Sequence, residues 1–306
     1  MPNWSDVLDE VNRSAQRHQR DLAGVFDTVR RRYLKKYFKK TGRNTIAYYS
    51  GWLTRSSIAG LEIRDEDKNA FMMAVHNMDR SKGLDLILHT PGGSISAAES
   101  IVTYLKSMFG DDIRAVVPQI AMSAGTMLAC ACKEIVMGKH SNLGPVDPQL
   151  NGLPAHGVIT EFDTARREIA QDPSKLQVWQ FILSKYTPSF LNQCQQAIML
   201  SEQFVARELR ANMFREDPRA AEKVQRIVAA LTNYASNLTH DKHIHVDECK
   251  GMGLKVKDIE DDQEYQDLLL TIHHCYMHTL GNTRAFKIVE NQLGVAFIKV
   301  VGEQSP

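Results

Sequence analysis

Two strand–turn–helix patterns stand in tandem in the first half of the chain. The apolar run 84–88 has the length of a buried strand. It is followed by the turn residues Pro91–Gly92–Gly93–Ser94 and by a helical pattern over 95–108. A second apolar run, 113–117, passes through Pro118 into Ser123–Ala124–Gly125 and a helix-like run of small and apolar residues over 127–131. Repeating units of this kind, about thirty residues apart, predict a parallel α/β arrangement. Around them the pattern predicts a first strand within 45–53, a helix from the acidic start at 65–67 to 78, and a short strand at 135–137. The segment 142–154 carries three Pro and two Gly and reads as loop.

Downstream of residue 157 the periodicity becomes helical, over about 158–170, 174–185, 188–214, 218–235 and 262–280. Between the last two lies a short strand and helical turn over 242–254, and 285–301 reads as a weak strand pair or tail. Residues 4–40 read as one long polar helix with Trp4, Val7, Leu8, Val11, Leu22, Val25, Phe26 and Val29 near helical spacing. These patterns divide the chain into a basic helical extension (1–44), an α/β domain with helical additions (45–280) and a C-terminal tail (281–306).

Composition narrows the class. A chain of 306 residues with 43% hydrophobic content is ample for one large α/β domain. A net charge of +1 gives no global pull toward nucleic acid, and no nucleic-acid partner is expected. The five Cys, at 130, 132, 194, 249 and 275, form no disulfide framework and read as reduced thiols of a cytoplasmic protein. No apolar stretch approaches the ~18 residues needed to span a bilayer, and the N-terminus shows no apolar signal region.

Candidate chemistry centres on Ser123. A strand that ends in a tight turn and feeds a helix lifts one hydroxyl into a cleft, with free amide N–H groups beside it. The same pattern also suits an ordinary strand–helix corner, where Ser and Gly are common. The Pro91–Gly92–Gly93 turn brings backbone N–H groups close to a ligand, since glycine places no side chain in the way. Other features have plain structural readings. The basic run 30–40, with Tyr33, Leu34, Tyr37 and Phe38 interleaved, suits a membrane-surface or nucleic-acid contact, or a solvated helix that packs its apolar residues on a neighbouring subunit. His240, His243, His245 and Cys249, with His273, His274 and Cys275, invite a metal reading, but their spacing matches no closed zinc pattern, so no metal and no cofactor is expected. Cys130 and Cys132 read as buried packing.

The segments Leu86–Ile87–Leu88–His89–Thr90–Pro91–Gly92–Gly93 and Ala121–Met122–Ser123–Ala124–Gly125–Thr126 resemble the paired motifs of the Clp protease/crotonase superfamily. Within it the chain most resembles the serine dehydrogenase proteinase family, relatives of the membrane-bound signal peptide peptidase A. The likeness runs through Lys133–Met137, Leu143–Gln149 and Asp172–Leu176 and covers roughly residues 45 to 280. It implies a Clp/crotonase-like spiral of strand–turn–helix units and a serine peptidase that cleaves peptides or unfolded protein. It also implies an oxyanion hole from the N–H of Gly92 or Gly93 together with that of Ala124, and assembly as a homo-oligomer.

The base departs from the Clp pattern. The region that would hold a Clp histidine reads Leu143–Gly144–Pro145–Val146–Asp147–Pro148, and His140 falls in the turn before it. Signal peptide peptidase relatives use a Ser–Lys dyad, and Lys175 lies in the corresponding range, with Lys139 and Lys185 as lesser candidates. A lysine serves as base only where burial lowers its pKa. Asp147 either supports the site or closes an Asx turn before Pro148. Two other readings remain open: a crotonase-like enzyme acting on an acyl thioester through the same hole, and a scaffold that has lost its base.

Overall fold

The structure is a computed structural model that describes residues 4–18, 22–232 and 241–302. Seven strands form its central sheet. Five run parallel: β1 (Asn44–Ser50), β2 (Leu84–His89), β3 (Ile113–Val117), β5 (Glu134–Met137) and β10 (Val256–Asp258). The hairpin β11 (Ala285–Asn291) and β12 (Ala296–Val300) adds two antiparallel strands beside β1, giving the order β10-β5-β3-β2-β1-β11-β12. Residues 285–301, read from the sequence as a weak strand pair or tail, are thus a strand pair built into the sheet, and Glu290 and Asn291 within it are fully buried.

Both faces of the sheet are covered, as parallel strands require. Alternate residues of β2 show how. Leu84, Leu86 and Leu88 join a core with α3 (Asp67–Val75), α4 (Ile95–Phe109) and α5 (Ala124–Cys130), and Ile87 faces the other way. On that second face lie α2 (Leu22–Thr41) and α11 (Gln263–Asn282), which contribute Leu34, Tyr37, Leu269, Ile272, Tyr276 and Leu280. The expected single N-terminal helix is two helices, α1 (Trp4–His18) and α2, packed on each other, with Tyr33 of α2 donating to Glu10 of α1 at 2.7 Å.

Leu34 and Tyr37 of the basic stretch are fully buried in this chain's own core rather than kept for a neighbouring subunit. The cations Lys35, Lys36 and Lys39 are exposed. Burying Arg30 is made tolerable by Glu290 at 2.9 Å and Asp27 at 2.6 Å.

Local signals set the ends of the elements that matter for the site. Ser94 caps α4, its hydroxyl accepting from the Ala97 N–H at 3.2 Å, and Gly110 closes the helix at φ +62°. At the N-terminal edge of the sheet, fully buried Asp85 accepts from Arg43, Arg114 and Tyr37. This charged lock lies at the opposite end of β2 from the glycine turn. The glycine turn and Ser123 follow the carboxyl ends of β2 and β3, where open parallel sheets place their sites.

Outside the central sheet the chain forms short pairs: β4 (Ile120–Ala121) with β6 (Asn142–Leu143), β6 with β9 (Ile244–His245), and β7 (Gln149–Leu150) with β8 (Leu153–Pro154). Then come α6 (Ala155–Gln171), α7 (Leu176–Leu183), α8 (Phe190–Ala211), α9 (Ala220–Thr232) and α10 (Val246–Met252). Helices α6, α7 and the first half of α8 make an arm with a small core of its own around Ala155, Val158, Phe190 and Cys194.

Candidate active site

The two corners meet. Thr90 and Ala121 form a parallel bridge, with the Thr90 N–H on the Ile120 carbonyl at 3.2 Å and the Met122 N–H on the Thr90 carbonyl at 3.0 Å. Gly92 then lies directly against the serine. A methyl group added there would stand 2.6 Å from Ser123 Cβ, 2.7 Å from the Met122 carbonyl oxygen and 3.0 Å from the Ala124 nitrogen. No larger residue fits, and the φ of +96° at Gly92 excludes one as well.

Ser123 caps α5 in an unusual conformation, φ +51° and ψ −116°, outside the left-handed helical well. Such a backbone costs on the order of 1–3 kcal/mol and persists only where the surroundings over-determine it. Here they do. Ser123 is followed by a helix whose seven residues are all buried, and the Gly125 N–H closes a turn on the Met122 carbonyl at 2.7 Å. The serine itself is half-buried.

Two amide hydrogens at the corner have no acceptor among the described residues. The Gly92 N–H is engaged by the Thr90 hydroxyl at 3.2 Å. The Gly92 carbonyl accepts from Ile63 at 2.7 Å, and the Ser94 N–H donates to the Ile63 carbonyl at 2.9 Å. That pattern leaves the Gly93 N–H without an acceptor among the described residues, and the same holds for the Ala124 N–H at the start of α5. Of the two glycines open in the sequence, Gly93 is thus the one with an amide to offer, and Gly92 is the one that must be small. A methyl group at Gly93 would stand 2.4 Å from the Ile63 nitrogen.

Ser123, Gly92 and Gly93 open onto a cleft of about 700 Å³. Its remaining walls are apolar and small side chains, Ile95, Met127, Val146, Leu150, Ala197 and Leu200, with Glu62, Arg64 and Asp147 at charged points. Asp147 is 3% exposed and shares this cleft with the serine.

Lys175 does not. It ends a 3-10 turn, Pro173–Lys175, at the tip of the arm, with a side chain 47% exposed and its Nζ 3.3 Å from Glu168. The other candidates are also elsewhere. Lys185 lies over the Phe181 ring, and the exposed Lys139 and His140 are not on the cleft. Ser123 makes no side-chain hydrogen bond to any described residue. Ser123 and the Gly93 and Ala124 amides are therefore brought together within one chain, while Lys175 is not beside them.

The histidines are structural in placement. His89 ends β2 on the sheet face away from α4, packed against Trp52, Tyr49 and His273. Burial takes its pKa down to about 3, and burial holds His273 well below its ordinary value too. His240 lies outside the described residues. Cys249 is buried with its Sγ on the Ile244 carbonyl, and among the described residues no cluster of three or more His, Cys, Asp or Glu is gathered to hold a metal ion.

A family model for ClpP-like SDH-type serine proteinases matches residues 57–280, most of the chain and both corners. The chain belongs to this family. Among curated proteins, two relatives from Methanocaldococcus jannaschii, the uncharacterized proteins MJ0137 and MJ1495, are 32% and 29% identical to it over 191 residues. Each alignment covers 62% of this chain, and it spans 59% and 58% of the respective relatives. The ClpP-like SDH-type family thus accounts for the mixed α/β fold and places the chain in a peptidase superfamily.

The sequence reading missed the two threonines that fix the corners, Thr90 and Thr126. Each stands three residues from a residue of the site, Thr90 before Gly93 and Thr126 after Ser123. That spacing within a turn was the only signal available.

Proposed function

We propose that this ClpP-like SDH-type chain is a serine peptidase that hydrolyses extended peptide or unfolded protein. Ser123 attacks the scissile carbonyl, and the Gly93 and Ala124 amides receive its oxygen. The observation that carries the reading is the strained, half-buried Ser123 pressed against Gly92, beside two amide hydrogens with no acceptor among the described residues. Gly93 is exposed on the cleft, so its amide can exchange water for a substrate oxygen without rearrangement.

The base in this reading is Lys175, delivered by a second copy in a homo-oligomer. Three features favour that arrangement. Lys175 is not on its own chain's cleft. It directly precedes α7, a helix of sequence LQVWQFIL in which no residue is buried. Leu176, Val178 and Phe181 there are 52%, 63% and 67% exposed, a surface that water does not stabilise and a neighbour would cover. Seated on that neighbour, the amine would lose water, the condition under which a lysine can serve as a general base. Asp147 would support the site from within the cleft.

Mixing inactive variants tests this. Ser123→Ala and Lys175→Met should each lower cleavage of an unfolded protein substrate by about a thousand-fold or more while the fold is retained. Co-refolded together, they should recover a readily measured fraction of wild-type turnover, because some sites pair an intact serine with an intact lysine. Recovery of nothing would place both groups in one chain, and an unimpaired Ser123→Ala would end the peptidase reading. That no described residue bonds the Ser123 hydroxyl favours a second reading, an inactive scaffold, for which neither variant would change anything measurable.

A further inference from the structure

We propose that Thr126 is a positioning residue of this site: its buried hydroxyl latches the nucleophile corner to the loop that carries Asp147. The inference rests on the peptidase reading for its catalytic consequence and on geometry for the latch itself.

Thr126 is fully buried in the first turn of α5. Its Oγ1 lies 2.9 Å from the Ala121 carbonyl and 2.9 Å from the Gly144 carbonyl, and it accepts from the Gly144 N–H at 3.0 Å. One hydroxyl thus serves two separate stretches of chain. The pairing of β4 with β6 ends at Ala121 and Leu143. One residue later, the Gly144 N–H turns to the threonine oxygen, so the hydroxyl stands in for the next rung of the ladder.

The two stretches are also in steric contact at this point. A methyl group at Gly144 would stand 2.6 Å from Met122 Cε and 3.1 Å from Met122 Cα. Met122 is the residue before the nucleophile, and Asp147 is three residues beyond Gly144. Any shift of the loop therefore presses on the corner. The disfavoured backbone of Ser123 needs neighbours that hold it, and Thr126 is the side chain that ties it to an independent part of the fold. Thr126 itself does not reach the cleft. It acts through Ser123 and the loop, not on substrate.

Two substitutions separate the hydroxyl from the methyl. Thr126→Val keeps the shape and removes the oxygen; Thr126→Ser keeps the oxygen and removes the methyl. On a peptide substrate, Thr126→Val should lower kcat by about ten-fold or more with KM within about two-fold, and Thr126→Ser should stay within about three-fold of wild type. Hydrogen exchange at the Gly144 amide should accelerate by about ten-fold or more in the valine variant and little in the serine variant.

A valine variant with wild-type kcat and wild-type exchange would overturn the proposal. So would a serine variant as impaired as valine, which would assign the effect to packing. If the valine variant fails to fold, Thr126→Ala against Thr126→Ser, which differ by one oxygen, gives the same comparison. A wild-type chain that cleaves nothing would sink the peptidase reading alone, because exchange at Gly144 still decides the latch.

Discussion

The corner at 118–131 and the arm at 155–198 are built on opposite terms. In the corner every residue of α5 is buried, the Ser123 backbone is strained, and Gly92 admits no added atom. In the arm, α7 has no buried residue, and Lys175 pairs with a glutamate in water. A surface ion pair of that kind contributes roughly 0–1 kcal/mol and is easily exchanged for another partner. The contrast separates two jobs. On the proposed reading the corner must hold its amide hydrogens to within roughly 0.5 Å in the free chain, and burial in the core does so. The arm is left incomplete, and on the proposed reading a second copy completes it.

Substitutions in the two regions should therefore fail differently. The largest effect is expected at the corner. Gly92→Ala would drive a methyl group into Ser123 and the Met122 carbonyl, and hydrolysis should fall by about a hundred-fold or more. The readout is turnover by the purified variant, with circular dichroism to show that the fold remains. Near-normal turnover would mean that the corner tolerates displacement and the contrast is false.

Next comes the arm. Val178→Asp with Phe181→Asp should leave the monomer's unfolding free energy within about 0.5 kcal/mol of wild type, since both side chains are mostly exposed. It should, however, shift the mass seen by light scattering to a smaller species and remove turnover with it. An unchanged mass would show that α7 is not the contact.

A smaller and slower effect is expected with pH, on the sheet face away from both regions. His89 is fully buried and stays neutral down to about 3 in the folded chain, whereas an unfolded histidine takes up a proton near 6.5. Acid therefore favours the unfolded chain. The contribution is fully present above pH 6.5 and is lost progressively as pH falls toward 3. At about 1.4 kcal/mol per pH unit this amounts to on the order of 5 kcal/mol at the acid end. His89→Leu should flatten that limb in urea titrations run at a series of pH values. An unaltered acid limb would assign the loss to other groups, such as His273.

Much of this architecture was legible in the chain. The strand at 113–117 and the helix after Ser94 follow from apolar runs and punctuation, and the meeting of the two corners follows from a resemblance carried by named residues. What was not legible depends on long-range pairing. Residues 285–300 lack a strong strand pattern because Lys287, Glu290 and Asn291 are polar. They are buried all the same, through partners far away in sequence: Asp67 for Lys287, Arg30 for Glu290 and the Ala74 carbonyl for Asn291.

The choice between Gly92 and Gly93 as donor was hidden for a related reason, since a threonine hydroxyl two residues back decides it. Lys175 could be named from its neighbours in sequence, but no local pattern tells on which side of a subunit boundary an amine will act.

The central claim is that Ser123 is an activated hydroxyl facing two amide donors. Treating the folded, assembled protein with a fluorophosphonate and mapping the adduct by peptide mass spectrometry tests it most directly. The account predicts a single stoichiometric adduct on the peptide containing Ser123, absent from Ser123→Ala. A folded, assembled wild-type protein that remains unlabelled, or one labelled at another serine, would contradict it.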